Sequence, residues 1–316
     1  MNSLESTARI DATRDAPANW VLRWVVVIQC VGLGGRYLLS SGETESDIYG
    51  WLYFDLLWPE RICQGIDDTG MVLTLVAAAW LGIAGLSRWM MAPTTSDRLV
   101  ARSIIGSFIQ KFDQAALWWI ATWMLALSIA HMMRVAVYGE LALAEHAVRY
   151  IAPIALVFRS HSVRNLGATG SRSATGSRRS HGSINLHAML LVLAASATFL
   201  AHGYKAFDHY APFTDLILLS DLYWTGLDLS QSAAERALVI IGIADGIVAI
   251  ALLAFRFRVA AAYMGVWGLV TAASRMTALG FDPWPETLLR AANGGVPIAI
   301  LLIYVKQPRS AKTLSE

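Results

Sequence analysis

The sequence predicts an all-α polytopic membrane protein of eight transmembrane helices arranged as two parallel four-helix repeats, and three observations lead there. Apolar residues make up 56% of the 316 and charged residues only 15%, with a mean hydropathy of +0.49, which is too apolar for an ordinary soluble chain. The apolar residues gather into stretches close to the roughly 20 residues that a helix needs to cross about 30 Å of hydrocarbon. The stretches also repeat. Leu52, Asp55, Leu56 and Trp58 recur about 166 residues later as Leu218, Asp221, Leu222 and Trp224, and Trp123 and Pro153-Ile154-Ala155 recur about 144 residues later as Trp267 and Pro297-Ile298-Ala299. The fall in offset places an insertion or deletion between the second and third stretches of each repeat, in the region 86–114.

Residues 1–19 form an N-terminal tail carrying Glu5, Asp11 and Asp15, with no cleavage signal after the first apolar run, so that run is read as a retained span. The first repeat covers 20–158, with spans near 20–39, 70–91, 115–137 and 148–158. The fourth is short, holds Arg149 near its start and begins in the interface. Residues 159–185, rich in Ser, Gly and Arg, read as a flexible basic linker. The second repeat covers 186–305, with spans near 186–206, 235–255, 259–279 and 287–305, and 306–316 form a C-terminal tail.

Charge sets the orientation. Arg88, Arg98, Arg102 and Lys111 lie between spans two and three, Arg159, Arg164, Arg172, Arg178 and Arg179 between four and five, and Arg256 and Arg258 between six and seven. The alternate loops are acidic. Positive loops stay on the cytoplasmic side, so both termini are expected there, in a multi-pass plasma (inner) membrane protein. Because each half has an even number of spans, the repeats are expected to be parallel.

Between the first two spans of each repeat lies a segment too apolar for a solvated loop: Trp51–Trp58 in one half, Leu216–Trp224 in the other. Such a segment belongs at headgroup depth. It reads either as a lid packed on the bundle or as a cover over a pocket, with Asp55, Trp58, Asp221 and Trp224 as its marked residues.

Ionisable groups inside spans cost on the order of 2.5–3.5 kcal/mol on insertion scales and normally face the bundle interior with a partner. Here they are Arg36, His131, Arg134, Arg149, His202, Lys205, Asp245, Arg275 and Arg290. Apart from Asp245, all fall at the outward ends of their helices. His131/Arg134 and His202/Lys205, spaced i,i+3, each share one helical face. Two uses stay open: ion pairs that hold the lid down through Asp55, Asp208 and Asp221, or a polar pocket near the outer leaflet. Asp245 sits near the middle of its span, suited to structural pairing or to proton relay.

Other chemistries find no support. Cys30 and Cys63 give neither metal spacing nor a disulfide framework, and no metal is expected. Walker, Rossmann, nucleophile-elbow and zincin signatures are absent. His131 and His202 share a predicted depth, but two lone histidines do not establish a bis-His haem pattern. No nucleic-acid partner is expected.

His202-Gly203-Tyr204-Lys205, at the outward end of the first span of a four-helix unit, resembles the DoxX-like families, in which a His-Gly-x-x-Lys-type motif, one residue longer than here, ends the first of four spans. Gly34-Gly35-Arg36-Tyr37 aligns there in the first repeat, with Tyr37 opposite Tyr204 and no histidine. The resemblance implies a membrane subunit associated with a quinone- or thiol-linked redox enzyme, whose partner protein would supply the cofactor motifs missing here. The expected ligand is a quinone head group or small anion, held by Arg36, Tyr37, His131, Arg134, Arg149, His202, Tyr204, Lys205 and Arg275. The alternatives are a transporter or lipid-binding carrier for an anionic small molecule, with Asp245 coupling, and a structural anchor for a partner.

Overall fold

The computed structural model describes residues 16–39, 46–90, 99–169 and 186–305. The tails and most of the expected linker lie outside the described residues. Every described element is helical. The first repeat comprises α1 (Ala16–Leu39), α2 (Asp47–Gly50) running into a π-helical turn (Trp51–Asp55), α3 (Glu60–Met90), α4 (Leu99–Arg134), a 3-10 turn (Gly139–Leu141), α5 (Ala142–Glu145) and α6 (Ala147–Thr169). The second comprises α7 (Leu186–Phe207), α8 (Ala211–Ser220) running into a π-helical turn (Asp221–Thr225), α9 (Gln231–Phe255), α10 (Arg258–Leu279), α11 (Trp284–Leu289) and α12 (Ala291–Val305).

Seven helices are long and apolar enough to cross a membrane. The helix missing from that set is α10, which forms over 22 residues where a span was expected but carries Thr271, Ser274, Arg275 and Thr277. Long apolar faces point outward, as lipid contact requires: Ile240, Ile243, Ile247 and Ile250 of α9 are all exposed at helical spacing.

The repeat is visible in the element order, and its insertion lies in the helices. α3 has 31 residues and α4 has 36, against 25 in α9 and 22 in α10, so much of the region expected to be a loop continues both helices. α6 likewise runs to Thr169, past the expected start of the linker. The two π-helical turns occupy equivalent places in their repeats, but the matching aspartates do not: Asp55 closes the first turn whereas Asp221 opens the second.

Each repeat is a ring. In the first, α1 packs on α3, α3 on α4, α4 on α6 and α6 on α1; in the second, α7, α9, α10 and α12 repeat that order. The rings join reciprocally, α6 against α7 and α12 against α1, and each short helix crosses over: α5 packs on α7, α11 on α1.

Proline fixes the last helix of each ring. Pro153 and Pro297 lie inside α6 and α12, and each lacks the N–H that would bond the carbonyl four residues earlier. The carbonyl freed by Pro153 is that of Arg149, and it accepts from Gln29 Nε2 of α1 at 3.0 Å. The carbonyl freed by Pro297 is that of Asn293, which presses against Gly268 of α10, where a Cβ would collide with it.

Candidate functional site

Glycine decides where the second ring leaves space. Gly203 and Gly242 bring the backbones of α7 and α9 together, and Gly265, Gly268 and Gly294 do the same for α10 and α12. Each pair is zipped, and a cavity of about 580 Å³ remains between them, roofed by α8 and the segment 221–229. The first ring is filled at the same level. The Trp123 indole lies against Gly70 of α3, Trp119 stacks on Trp123 with ring centroids 6.1 Å apart, and a cavity lined by Arg36, Tyr37 and Arg149 measures only about 50 Å³. That is room for a water or two.

The crossed short helices contribute one residue each to the lining of the opposite ring's cavity. Glu145, at the end of α5, lines the large cavity of the second ring, and Leu289, at the end of α11, lines the small cavity of the first. Glu145 accepts a hydrogen bond from buried Lys205 and lies 3.9 Å from His202 Nδ1. The reciprocal contact is Glu286 of α11, which pairs with Arg290 and with Arg36 of α1 at 3.3 Å. Tyr138 donates to Asp208 across the same boundary, and that bond pushes the phenol up to about 12.

Seven of the nine expected ligand-binding residues divide among three places. Arg36, Tyr37 and Arg149 line the small cavity, where Tyr37 donates to Asp68 and buried Arg149 leaves its Nε without a partner. His131 and Arg134 instead hold down the first lid segment: His131 Nδ1 lies 3.0 Å from Asp47, and Arg134 reaches Asp47 and Asp55, each at 3.7 Å. The third place is the large cavity, lined by His202, Asp221, Asp245, Arg275 and Arg290. Tyr204 is exposed and meets Tyr138 edge to face. Lys205 does not face the large cavity but Glu145 and the rings of Tyr138 and Tyr210.

The two lids differ. Asp221 pairs with no base among the described residues. It accepts from the backbone N–H groups of Leu227 at 2.9 Å and Leu229 at 2.8 Å and from the Thr225 hydroxyl, which holds its carboxyl below the usual range. That carboxylate thus organises the segment roofing the cavity, and Ser220 ties the same segment to Thr277 of α10 at 2.8 Å. Trp58 and Trp224 are both exposed, Trp224 at 72%, together with Leu222, Tyr223 and Leu227.

No family model matches the chain, nor does any curated protein or solved structure.

The large cavity combines an apolar lining with polar atoms that lack partners. His202 Nε2, Asp245 Oδ1, Trp267 Nε1 and Asn293 Oδ1 are buried without a hydrogen bond. The Trp267 indole faces the Asp245 side chain, yet neither of those two atoms reaches bonding geometry with the other. Arg275 lines the same space and forms no ion pair among the described residues, whereas Arg290 beside it is neutralised by Glu286. Buried polar groups are rarely left unpaired, so this set is what a bound molecule would satisfy. It also accounts for the polarity of α10, whose Thr271, Ser274 and Arg275 face the cavity. Among the described residues no group of three metal-ligating side chains occurs.

Glu145, His146 and Asn293 escaped the sequence reading. Glu145 ends a short helix, and His146 follows it, in a stretch that composition merges with the fourth span, and only the crossing of α5 onto α7 gives Glu145 a role. Asn293 had a signal: it lies four residues before a repeated proline. At the opposite end of the first ring, Arg23 pairs with Asp113, which also accepts from Trp80 Nε1 at 3.1 Å. A structural ion pair thus joins the first span to the region expected to be a cytoplasmic loop.

Proposed function

We propose that this chain is an integral membrane subunit that takes one small amphipathic molecule from the bilayer into its second repeat. The observation that carries the reading is the cavity of about 580 Å³, within the usual range of small-molecule sites, lined by an Arg275 with no ion pair among the described residues and by four unpartnered buried polar atoms. With α10 counted as the eighth span and the basic loops in the cytoplasm, Arg275, His202 and Arg290 lie toward the outer leaflet. The exposed Leu222, Tyr223 and Trp224 then sit among the headgroups, and the cavity opens where a bilayer molecule would enter. A quinone head group or the head of an anionic amphiphile offers the acceptor oxygens that Arg275 requires. The resemblance to DoxX-like proteins adds the setting: a plasma (inner) membrane subunit serving a redox partner.

A second reading, a carrier for an anionic small molecule, is favoured by Asp245, whose carboxylate lies in the cavity about midway along α9. A carrier predicts that Asp245→Asn blocks uptake into vesicles, while a redox subunit retains partner-dependent activity.

The deciding experiment is mass spectrometry of the organic extract of gently purified protein, compared with bulk membrane. The expected result is one species enriched near stoichiometry and depleted in Arg275→Gln and His202→Ala proteins that still accumulate. An extract matching bulk membrane overturns the reading and returns the charges to a purely structural role.

A further inference from the structure

The large cavity is lined by Arg275, near the end of α10, and also by Asp245 and Trp267. Trp267 precedes Arg275 on α10 by a little over two turns, about 12 Å at 1.5 Å rise per residue. Phe199, Phe213, Leu238 and Ile241 line the space as well and supply its apolar wall. A molecule with one polar head and a plain alkyl tail would satisfy Arg275 and leave its tail against a carboxylate.

Resting on the reading of this cavity as a small-molecule site, we propose that its ligand is polar at both ends: an amphiphile with an anionic group bound by Arg275 and a hydroxyl bound between Asp245 and Trp267. The two deep groups select the chemistry. Asp245, 3% exposed, presents an unpartnered acceptor oxygen, and Trp267 presents an unpartnered N–H donor. A hydroxyl donates and accepts at a single atom, whereas an ammonium only donates and a carbonyl only accepts.

The first repeat acts as an internal control. Counted from the start of its helix, Asp245 on α9 corresponds to Thr74 on α3. Thr74 is satisfied within the protein: it donates to the Gly70 carbonyl at 2.7 Å and accepts from Trp119 Nε1 at 3.2 Å. Trp123, the counterpart of Trp267, also leaves its N–H unpartnered, so the indole alone signals nothing. What distinguishes the second repeat is an acid in place of the threonine, facing open space in place of a packed tryptophan. The cations that line the cavity are equally distinct, because Arg290 already holds Glu286 whereas Arg275 has no ion pair among the described residues.

The test uses two probes of one length, decanoate and 10-hydroxydecanoate, whose extended chains span about 12 Å, the distance set by the helix rise. Each is titrated onto the full-length protein in detergent and read by native mass spectrometry. The expected result is retention of both, with the hydroxylated acid held on the order of tenfold more tightly. That preference should fall below about twofold in Asp245→Leu and also in Trp267→Phe, a milder change that keeps the ring, while Arg275→Gln weakens both probes alike. Equal retention of the two acids by the unaltered protein overturns the proposal and leaves the site reading standing. Retention of neither, by protein whose extract carries an enriched membrane molecule, overturns the proposal alone. Retention of neither with an extract matching bulk membrane overturns both.

Discussion

Glu145 ends the first repeat's short helix and forms its ion pair with Lys205 of the second repeat, so the side chain that fastens the two rings together also lines the cavity of the ring to which it does not belong. Both partners are largely buried, with side-chain exposures of 6% for Lys205 and 13% for Glu145. Removing one partner of such a pair strands the other charge, which typically costs about 3–5 kcal/mol. Glu145→Gln is therefore expected to lower the melting temperature of the purified protein sharply. Adding Lys205→Met to it should recover most of the loss. A single Glu145→Gln variant that melts like the unaltered protein would show the pair to be dispensable.

The carbonyl freed by Pro153 gives a second test. Gln29→Leu removes its donor, and leaving a buried acceptor unsatisfied costs about 1–3 kcal/mol. Pro153→Ala restores an N–H within α6 that can bond the Arg149 carbonyl. The two changes should be coupled: Gln29→Leu is expected to cost at least 1 kcal/mol less when Pro153 is already alanine, a difference on the scale of one hydrogen bond. Additive losses in denaturation midpoints would separate the glutamine from the proline.

Two glycines of α9 should respond in opposite ways. A Cβ at Gly242 would meet the Gly203 carbonyl and the Phe207 backbone nitrogen, while one at Gly246 meets nothing within 4 Å. Gly242→Ala is expected to force α7 and α9 apart at a cost of about 1–3 kcal/mol, as overpacking does. Gly246→Ala should be neutral or stabilising by up to about 1 kcal/mol through helix propensity. Thermal melts of the two single variants check both, and equal melting temperatures would contradict the close crossing.

The roof of the cavity should be acid-sensitive. Three hydrogen bonds to the Asp221 carboxylate hold its pKa below the ordinary 3.8. For a carboxyl depressed in the folded state, the stabilisation is fully present above the ordinary value and is lost as pH falls through the lower folded value. Hydrogen exchange at Leu227 and Leu229 is expected to stay slow, after correction for intrinsic rates, from neutral pH down to about 4 and to accelerate below it. Asp221→Asn should exchange faster already at neutral pH, because an amide is a weaker acceptor of those bonds than a carboxylate. Exchange with no dependence on acid or on the substitution would remove Asp221 as the organiser of that segment.

The sequence by itself determined the class and the plan: hydropathy over windows of 20 residues marks spanning helices because the bilayer core fixes their length, and Trp123/Trp267 and Pro153/Pro297 mark the repeat because equivalent helices need equivalent kinks. It also identified His202, Asp245 and Arg275, since ionisable groups inside apolar stretches stand out. Only the tertiary structure decided which of those groups share a space. Arg36, His131 and Arg275 look alike in the sequence, yet one lines a nearly filled cavity, one holds a lid and one faces an open cavity. The cause is packing. Trp123 fits over Gly70 and fills the first ring, whereas Gly203–Gly242 and Gly268–Asn293 draw the second ring's helices into pairs and leave a gap between them. Ion-pair partners were hidden for a related reason. Glu145 meets Lys205 only because α5 crosses onto the neighbouring repeat, and hydrophobic periodicity, which records which residues avoid water, carries no information on which helices become neighbours.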